Sequence, residues 1–395
     1  MAIKWRGEAC DLGLDPQSGA LITRLTSAAM HNINIYCEQP YTNPAGTRIA
    51  YTRAASADPR VPPFELCVAD IEKLRVAVIE PEVAGSIVAT SSWSGQIYYL
   101  RPNGELIRVC LDTLEKHIVF THWDLPGGFG FSSVSPDQRY LIGERQTPQY
   151  TSQIIRVDLE TQEWTPIFEH DEVLGHIQFN PVHGRQILVQ HNRGMRIDHL
   201  GRRKVVESND RFATHLVIDA DGGNPRWLPI GPPHTAGSCG HSAWIADTGR
   251  IGLAVRWQGM TVVKEELDRG NPHDPLHPEG NFVVAGPDDP KPQIFRAPKH
   301  LFNHVNVSKC GKLFVADCYW HGIPGPVALV MGNLATGKHR VLVSDSGAQG
   351  GGPACSHPHP YLTADNRNVI YNSDRFHISH VYAARVPVEF LESLE

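Results

Sequence analysis

Two histidines and two prolines alternate in the stretch "SHPHPYLTADN", which sets His357 and His359 either side of Pro358, with Pro360 directly after. Read as extended chain, residues two apart point the same way, so both imidazoles reach one cation. The prolines lack N–H groups. That suits the free edge of an innermost strand and stiffens the backbone carrying the rings. A His-x-His pair alone is a moderate metal signal. His304, which leads a similar segment earlier in the chain, adds a third nitrogen and leaves coordination positions open, the pattern of a catalytic rather than a structural metal. Imidazole serves Zn, Mn, Fe, Co and Ni alike, so the ligand type does not select the metal.

The elements that must position these rings are legible as a repeat. "HIQFNPVHGRQILV" starts at His176, "HSAWIADTGRIGLAV" at His241, "HVNVSKCGKLFVA" at His304 and "HPYLTADNRNVIY" at His359. "FSSVSPDQRYLIG" from Phe131 and, more weakly, "QPYTNPAGTRIAY" from Gln39 follow the same plan. Each reads as strand, tight turn, strand. Further strand pairs lie between them, as in "SQIIRVDLETQEWTPIF". Copies recur at roughly 45 to 65 residues, the spacing of four-stranded propeller blades. The expected fold is therefore all-β, a propeller of about seven four-stranded blades. It is expected to be one domain over 1–395 with short N- and C-terminal extensions, and "VEFLESLE" is the best helix candidate. A pair of β-sandwiches is the rival, and it lacks so periodic a turn signature. In a propeller, equivalent positions on the inner strands converge on the central channel. His176, His241, His304 and His359 share one register, so four imidazoles far apart in sequence are expected to meet.

Composition narrows the function. The chain has 395 residues, a net charge of −6 and no basic block, which argues against nucleic acid as a partner. No segment approaches the ~20 apolar residues of a membrane-spanning helix. The opening "MAIKWRGEAC" has no apolar run of the secretory kind. The eight cysteines are scattered, with no C-x-x-C pair. Together these features point to reduced thiols and a cytoplasmic location. Oligomeric state is not legible.

"SHPHPYLTADN", "FNHVNVSKCGKLFVAD", "CGHSAW", "GHIQFNP" and the early "RLTSAAMHNINIYCEQPYTNPAGTRIAYTR" resemble the oligogalacturonate lyases, cytoplasmic manganese-dependent propellers that cleave short pectin fragments. The resemblance runs from about Arg24 to Pro387. It implies His304, His357 and His359 as ligands of Mn2+ or another divalent ion, His241 as catalytic base, and an acidic oligosaccharide as substrate. Two positions depart from the family. Its glutamine ligand, three residues before the first histidine of H-P-H-P, is Ala354 here, with Gln349 nearby. The place of its arginine is taken by Thr214, with Arg211, His215 or Arg193 as substitutes.

The implied reaction is β-elimination at a 4-linked uronate. The C5 proton is weakly acidic because the adjacent carboxylate is already negative, and a divalent cation on that carboxylate stabilises the charge that develops. A neutral histidine suits the base role near pH 7. Arg193 and Arg211 are candidates to clamp a substrate carboxylate, and His176 and His191 to bind hydroxyls. Trp244 reads as core. "GAQGGGP" lacks the lysine of a phosphate loop, and no G-x-S-x-G nucleophile motif occurs. The serious non-enzyme alternative is a propeller that binds or senses a sugar or protein partner.

Overall fold

A computed structural model describes residues 3–56, 62–84, 88–122, 128–198, 203–205, 212–235, 237–256, 279–298, 300–320, 326–348 and 357–395. Antiparallel strands dominate, and "VEFLE" forms the helix Val388–Glu392. The strands build an all-β propeller in which each sheet packs against the next. Strands covered on both faces lose the apolar–polar alternation, and the run Ala328–Asn333 is buried throughout. Val315, Leu329 and Met331 of one sheet meet Val369, Tyr371 and Tyr382 of the next in a single cluster.

The repeat's turns share one chemistry. Ser135 donates to Asp137 Oδ1 at 2.5 Å and Thr363 to Asp365 Oδ1 at 2.6 Å. Each aspartate then accepts the backbone N–H two residues on, from Arg139 and Arg367, both at 3.1 Å. Hydroxyl and carboxylate thus replace backbone partners at equivalent corners. Closure joins the chain's two ends: Leu21–Arg24 pairs with His380–Arg385 in a five-stranded sheet, Leu21 facing Arg385.

The expected set of about seven separate blades is corrected. Among the described residues there are five separate sheets of four or five strands, one eight-stranded sheet and a two-stranded ribbon. The eight-stranded sheet arises because strand Phe212–Asp219 pairs with strand Gly237–Trp244 through Ala213 and Ser238. Its two halves pack on each other through Leu188, Val217, Leu253 and Val283. Spacing along the sequence gives no sign of that pairing.

A second correction concerns H-P-H-P. The strand begins only at Tyr361 (Tyr361–Leu362), so His357 and His359 precede it in irregular chain. His359 has φ of 44°, in the left-handed region, and strict alternation does not apply there.

Candidate metal centre

What aims the histidines is a set of bulges. On strand Val173–Phe179 the ladder shifts between Gly175 and Gln178, at His176. On Gly237–Trp244 it shifts between Ser238 and Ser242, at His241. On Leu301–Val307 it shifts between Phe302 and Val305, at His304. A bulge inserts extra residues opposite the partner strand and re-aims the side chain there. His176 also adopts φ of 50°. Three blades therefore break their ladders at the same repeat position, and each break carries an imidazole.

The rings converge as the shared register requires. His304 lies 4.2 Å from His359, 5.3 Å from His357 and 4.0 Å from His241, centroid to centroid. His241 lies 5.4 Å from His176. One nitrogen from each of His304, His357 and His359 falls within 4.8 Å of the others. That is close to twice an imidazole–metal bond of ~2.0–2.1 Å, so small ring rotations close the site on one ion.

Two further observations fit a cation. Nδ1 of His359 is buried without a hydrogen-bond partner, and the ring as a whole is 3% exposed. His304 is held by Asp317, whose Oδ1 accepts the His304 backbone N–H at 2.7 Å and whose Oδ2 lies 2.6 Å from Nδ1. Asp317 sits opposite the bulge that creates this geometry. A carboxylate on Nδ1 fixes the tautomer and leaves Nε2 as the ligand atom. Burial pushes the Asp317 carboxyl up to about 7. Burial also holds His304, His359 and His241 well below the usual imidazole range, with neighbouring imidazoles adding to the shift. They are neutral, with lone pairs available.

Buried amides position the H-P-H-P backbone. Asn34 donates to the His359 carbonyl at 2.8 Å, and the Asn372 N–H donates to the Pro358 carbonyl at 2.8 Å. Asn306 joins Cys37 to the start of the next strand by donating to the Cys37 carbonyl (2.9 Å) and accepting from the Leu362 N–H (3.0 Å).

Facing the three-histidine cluster is a second group. Nδ1 of His241 lies 2.8 Å from Tyr36 Oη, and Nδ1 of His176 lies 2.9 Å from Glu38 Oε1. Burial raises the Tyr36 phenol well above its ordinary range, so it stays protonated. Beside Tyr36, Glu38 and His176 opens a cavity of about 310 Å3. Tyr36, Glu38 and Asp317 escaped the sequence reading. Asp317 alone left a signal, a lone acid inside the apolar run "LFVADCYW".

The remaining expected site residues are placed differently. His191 is buried one strand outward, with Nε2 2.6 Å from Glu172 Oε2. Arg193 is exposed, its guanidinium 5.3 Å from the Phe212 ring centre. Neither joins the central cluster. Thr214 is buried and donates to the Ile230 carbonyl at 2.7 Å, so it makes no carboxylate clamp. His215 is fully buried beside His176, which with burial pushes it down to about 3. Arg211, Gln349 and Ala354 lie outside the described residues, as does most of "GAQGGGP". Trp244 is core, 4% exposed.

Comparison with known proteins finds similarity in sequence and in fold. No family model matches the chain. A protein of Pectobacterium atrosepticum named oligogalacturonide lyase is 25% identical over 320 residues, covering 74% of each chain. One of Dickeya dadantii named oligogalacturonate lyase is 24% identical over 329 residues, again covering 74% of each. A solved structure described as oligogalacturonate lyase in complex with manganese matches with a TM-score of 0.69 at 19% identity, covering 99% of this chain and 100% of that one. In sequence and in fold together, the chain is a distant relative of the oligogalacturonate lyases.

Proposed function

We propose that this chain, a single propeller domain over 1–395, is a metal-dependent lyase that cleaves a 4-linked uronate oligosaccharide by β-elimination. The observation that carries the reading is the convergence of His304, His357 and His359 on one point, with His241 beside them at 4.0 Å from His304. A pure scaffold has no use for bulges that bring buried, neutral imidazoles together. The names of the relatives support the acidic substrate, and the manganese complex supports the proposed Mn2+.

In this reading His304, His357 and His359 would hold the cation, His359 through its unpartnered Nδ1. A cation bound there would supply the positive charge that neutralises the uronate carboxylate and acidifies the C5 proton. His241 takes that proton on Nε2. For this Nδ1 must carry its own proton, and the Tyr36 oxygen is placed to accept it. The electron pair left at C5 forms the C4–C5 double bond and the group on O4 leaves, protonated by solvent. Glu38 lies within 4.8 Å of His241 and His176 and stabilises the imidazolium that results. His176 faces the same space and is assigned to substrate hydroxyls. The cytoplasmic assignment is supported by seven cysteines that are all free among the described residues. No helix among the described residues is long and apolar enough to cross a membrane.

The test is the ultraviolet absorbance of the unsaturated product, across a panel of uronate oligosaccharides with metal-loaded protein. An absorbing product from at least one is expected. None from any would leave a sugar-binding or partner-binding propeller as the better reading.

A further inference from the structure

The cavity of about 310 Å3 beside Tyr36 and Glu38 adjoins the base. Tyr36 and His176 line it, and their rings lie 6.0 and 5.4 Å from that of His241. We propose that this cavity takes the leaving sugar and that this sugar is neutral, so that the substrate joins one uronate to an uncharged sugar on its O4. The inference rests on the lyase reading and names the substrate class within it. β-Elimination needs no more than a uronate and a group on its O4, so one subsite beside the base completes a minimal substrate. Ligand sites run from ~300 to 1,000 Å3, and a cavity at the small end suits a single ring.

Two polar groups in the wall ask for hydroxyls. Gln39 is buried, and its Nε2 donates to the Ser132 carbonyl at 2.5 Å. That bond orients the amide and leaves Oε1, also buried, without a partner. Glu38 adds a carboxylate, with Oε1 2.9 Å from His176 Nδ1. Both groups are acceptors. A sugar hydroxyl donates to them, whereas an ionised carboxylate has no proton to give. Charge acts in the same direction. With or without a proton on the imidazole, the Glu38–His176 pair offers no net positive charge to a second uronate. The described residues of the wall include no Lys or Arg.

Much of the remaining wall is apolar. Ile33, Ile35 and Phe131 are half-buried there. Ile35 has φ of 69°, in the left-handed region that a β-branched residue rarely adopts. Bonds on either side hold it in place: the Asn34 N–H donates to Asn372 Oδ1 at 2.9 Å, and the Cys37 carbonyl accepts from Asn306 at 2.9 Å. Glycine would take this conformation without strain, so the chain bears strain at the point where it presents an isoleucine to the cavity. The C–H faces of a neutral pyranose cover such a surface, while a carboxylate against it loses water and gains no partner.

The experiment compares two disaccharides on metal-loaded protein, galacturonate carrying galactose on O4 and galacturonate carrying a second galacturonate there. Calorimetry reads binding and ultraviolet absorbance reads turnover. The galactose compound is expected to bind about tenfold tighter, with kcat/KM about tenfold higher, ~1.4 kcal/mol. Ile35→Gly keeps the backbone conformation and removes the side chain, and Gln39→Met removes the acceptor at similar length. Each is expected to cut the preference about threefold or more, through KM rather than kcat, with urea unfolding confirming the fold. Should Gln39→Met not fold, Ile35→Gly decides alone. Wild type that handles the two compounds equally, or favours the diuronate, overturns the proposal, and cleavage of either then leaves the lyase reading intact. An unchanged preference in either folded variant also overturns it. If the galactose compound binds tighter but neither is cleaved, the neutral-sugar subsite stands and the lyase reading falls. Binding of neither overturns both.

Discussion

Asp317→Asn is the most informative single change, because it alters one atom and touches neither cation nor substrate. Asp317 accepts two N–H groups of His304 on separate oxygens, the backbone at 2.7 Å and Nδ1 at 2.6 Å. Asparagine has one acceptor oxygen, so one of the two is lost. With Oδ1 kept on the backbone N–H, its amide donates to Nδ1, the ring proton moves to Nε2, and the ligand lone pair disappears. Carboxylates in this position typically give 10- to 100-fold in metal affinity, ~1.4–2.7 kcal/mol. Metal-free protein should respond in the opposite sense. Burial raises the Asp317 carboxyl from an ordinary 3.8 to about 7, so the folded state holds that proton more tightly than the unfolded one. The resulting stability is complete below pH ~4 and is lost as pH rises towards 7, with a ceiling of about 4 kcal/mol. Asparagine carries no such charge, and the variant should lack that pH dependence. Manganese titration calorimetry and denaturant unfolding in chelator at pH 5 and pH 7.5 measure both effects. Unchanged manganese affinity in Asp317→Asn would refute the tautomer argument.

Three other outcomes follow from the same geometry. His241→Ala should lose about 10²- to 10⁴-fold in turnover while keeping its metal; normal turnover, or metal loss, removes it from the base role. Burial holds His241 well below 6.5, so the acid limb of kcat/KM should fall below pH 6.5, and a limb at or above that value would point to another base. Asn306→Ala should cost about 1–3 kcal/mol of stability, because it strands the buried Leu362 N–H and Cys37 carbonyl, as read by urea unfolding.

The repeat made much of this site legible. Four histidines in one register predicted that four distant imidazoles meet, and His176, His241, His304 and His359 do. The propeller class was readable for the same reason, since turn residues such as Ser135–Asp137 and Thr363–Asp365 do one local job at each corner. Bulges were not readable. They arise from how two strands register, and nothing in "GHIQF" or "FNHVN" marks the extra residue. The strand assumed for His357 and His359 failed similarly, because tertiary hydrogen bonds from Asn34 and Asn372 set that backbone. Tyr36 and Glu38 come from an irregular inner segment outside the repeat's histidine register, where sequence spacing has no hold. His191 and Arg193 were singled out by residue type, and type alone does not say which strand of a blade faces the channel.

Anomalous scattering at the manganese edge, from crystals of protein prepared without chelator, tests the central claim most directly. One peak per chain is expected, within bonding distance of nitrogens from His304, His357 and His359, with His241 outside bonding distance. No peak, or a peak at Glu38, His176 and His241 or at His170, Glu172 and His191 instead, would contradict a catalytic cation held by the three-histidine cluster.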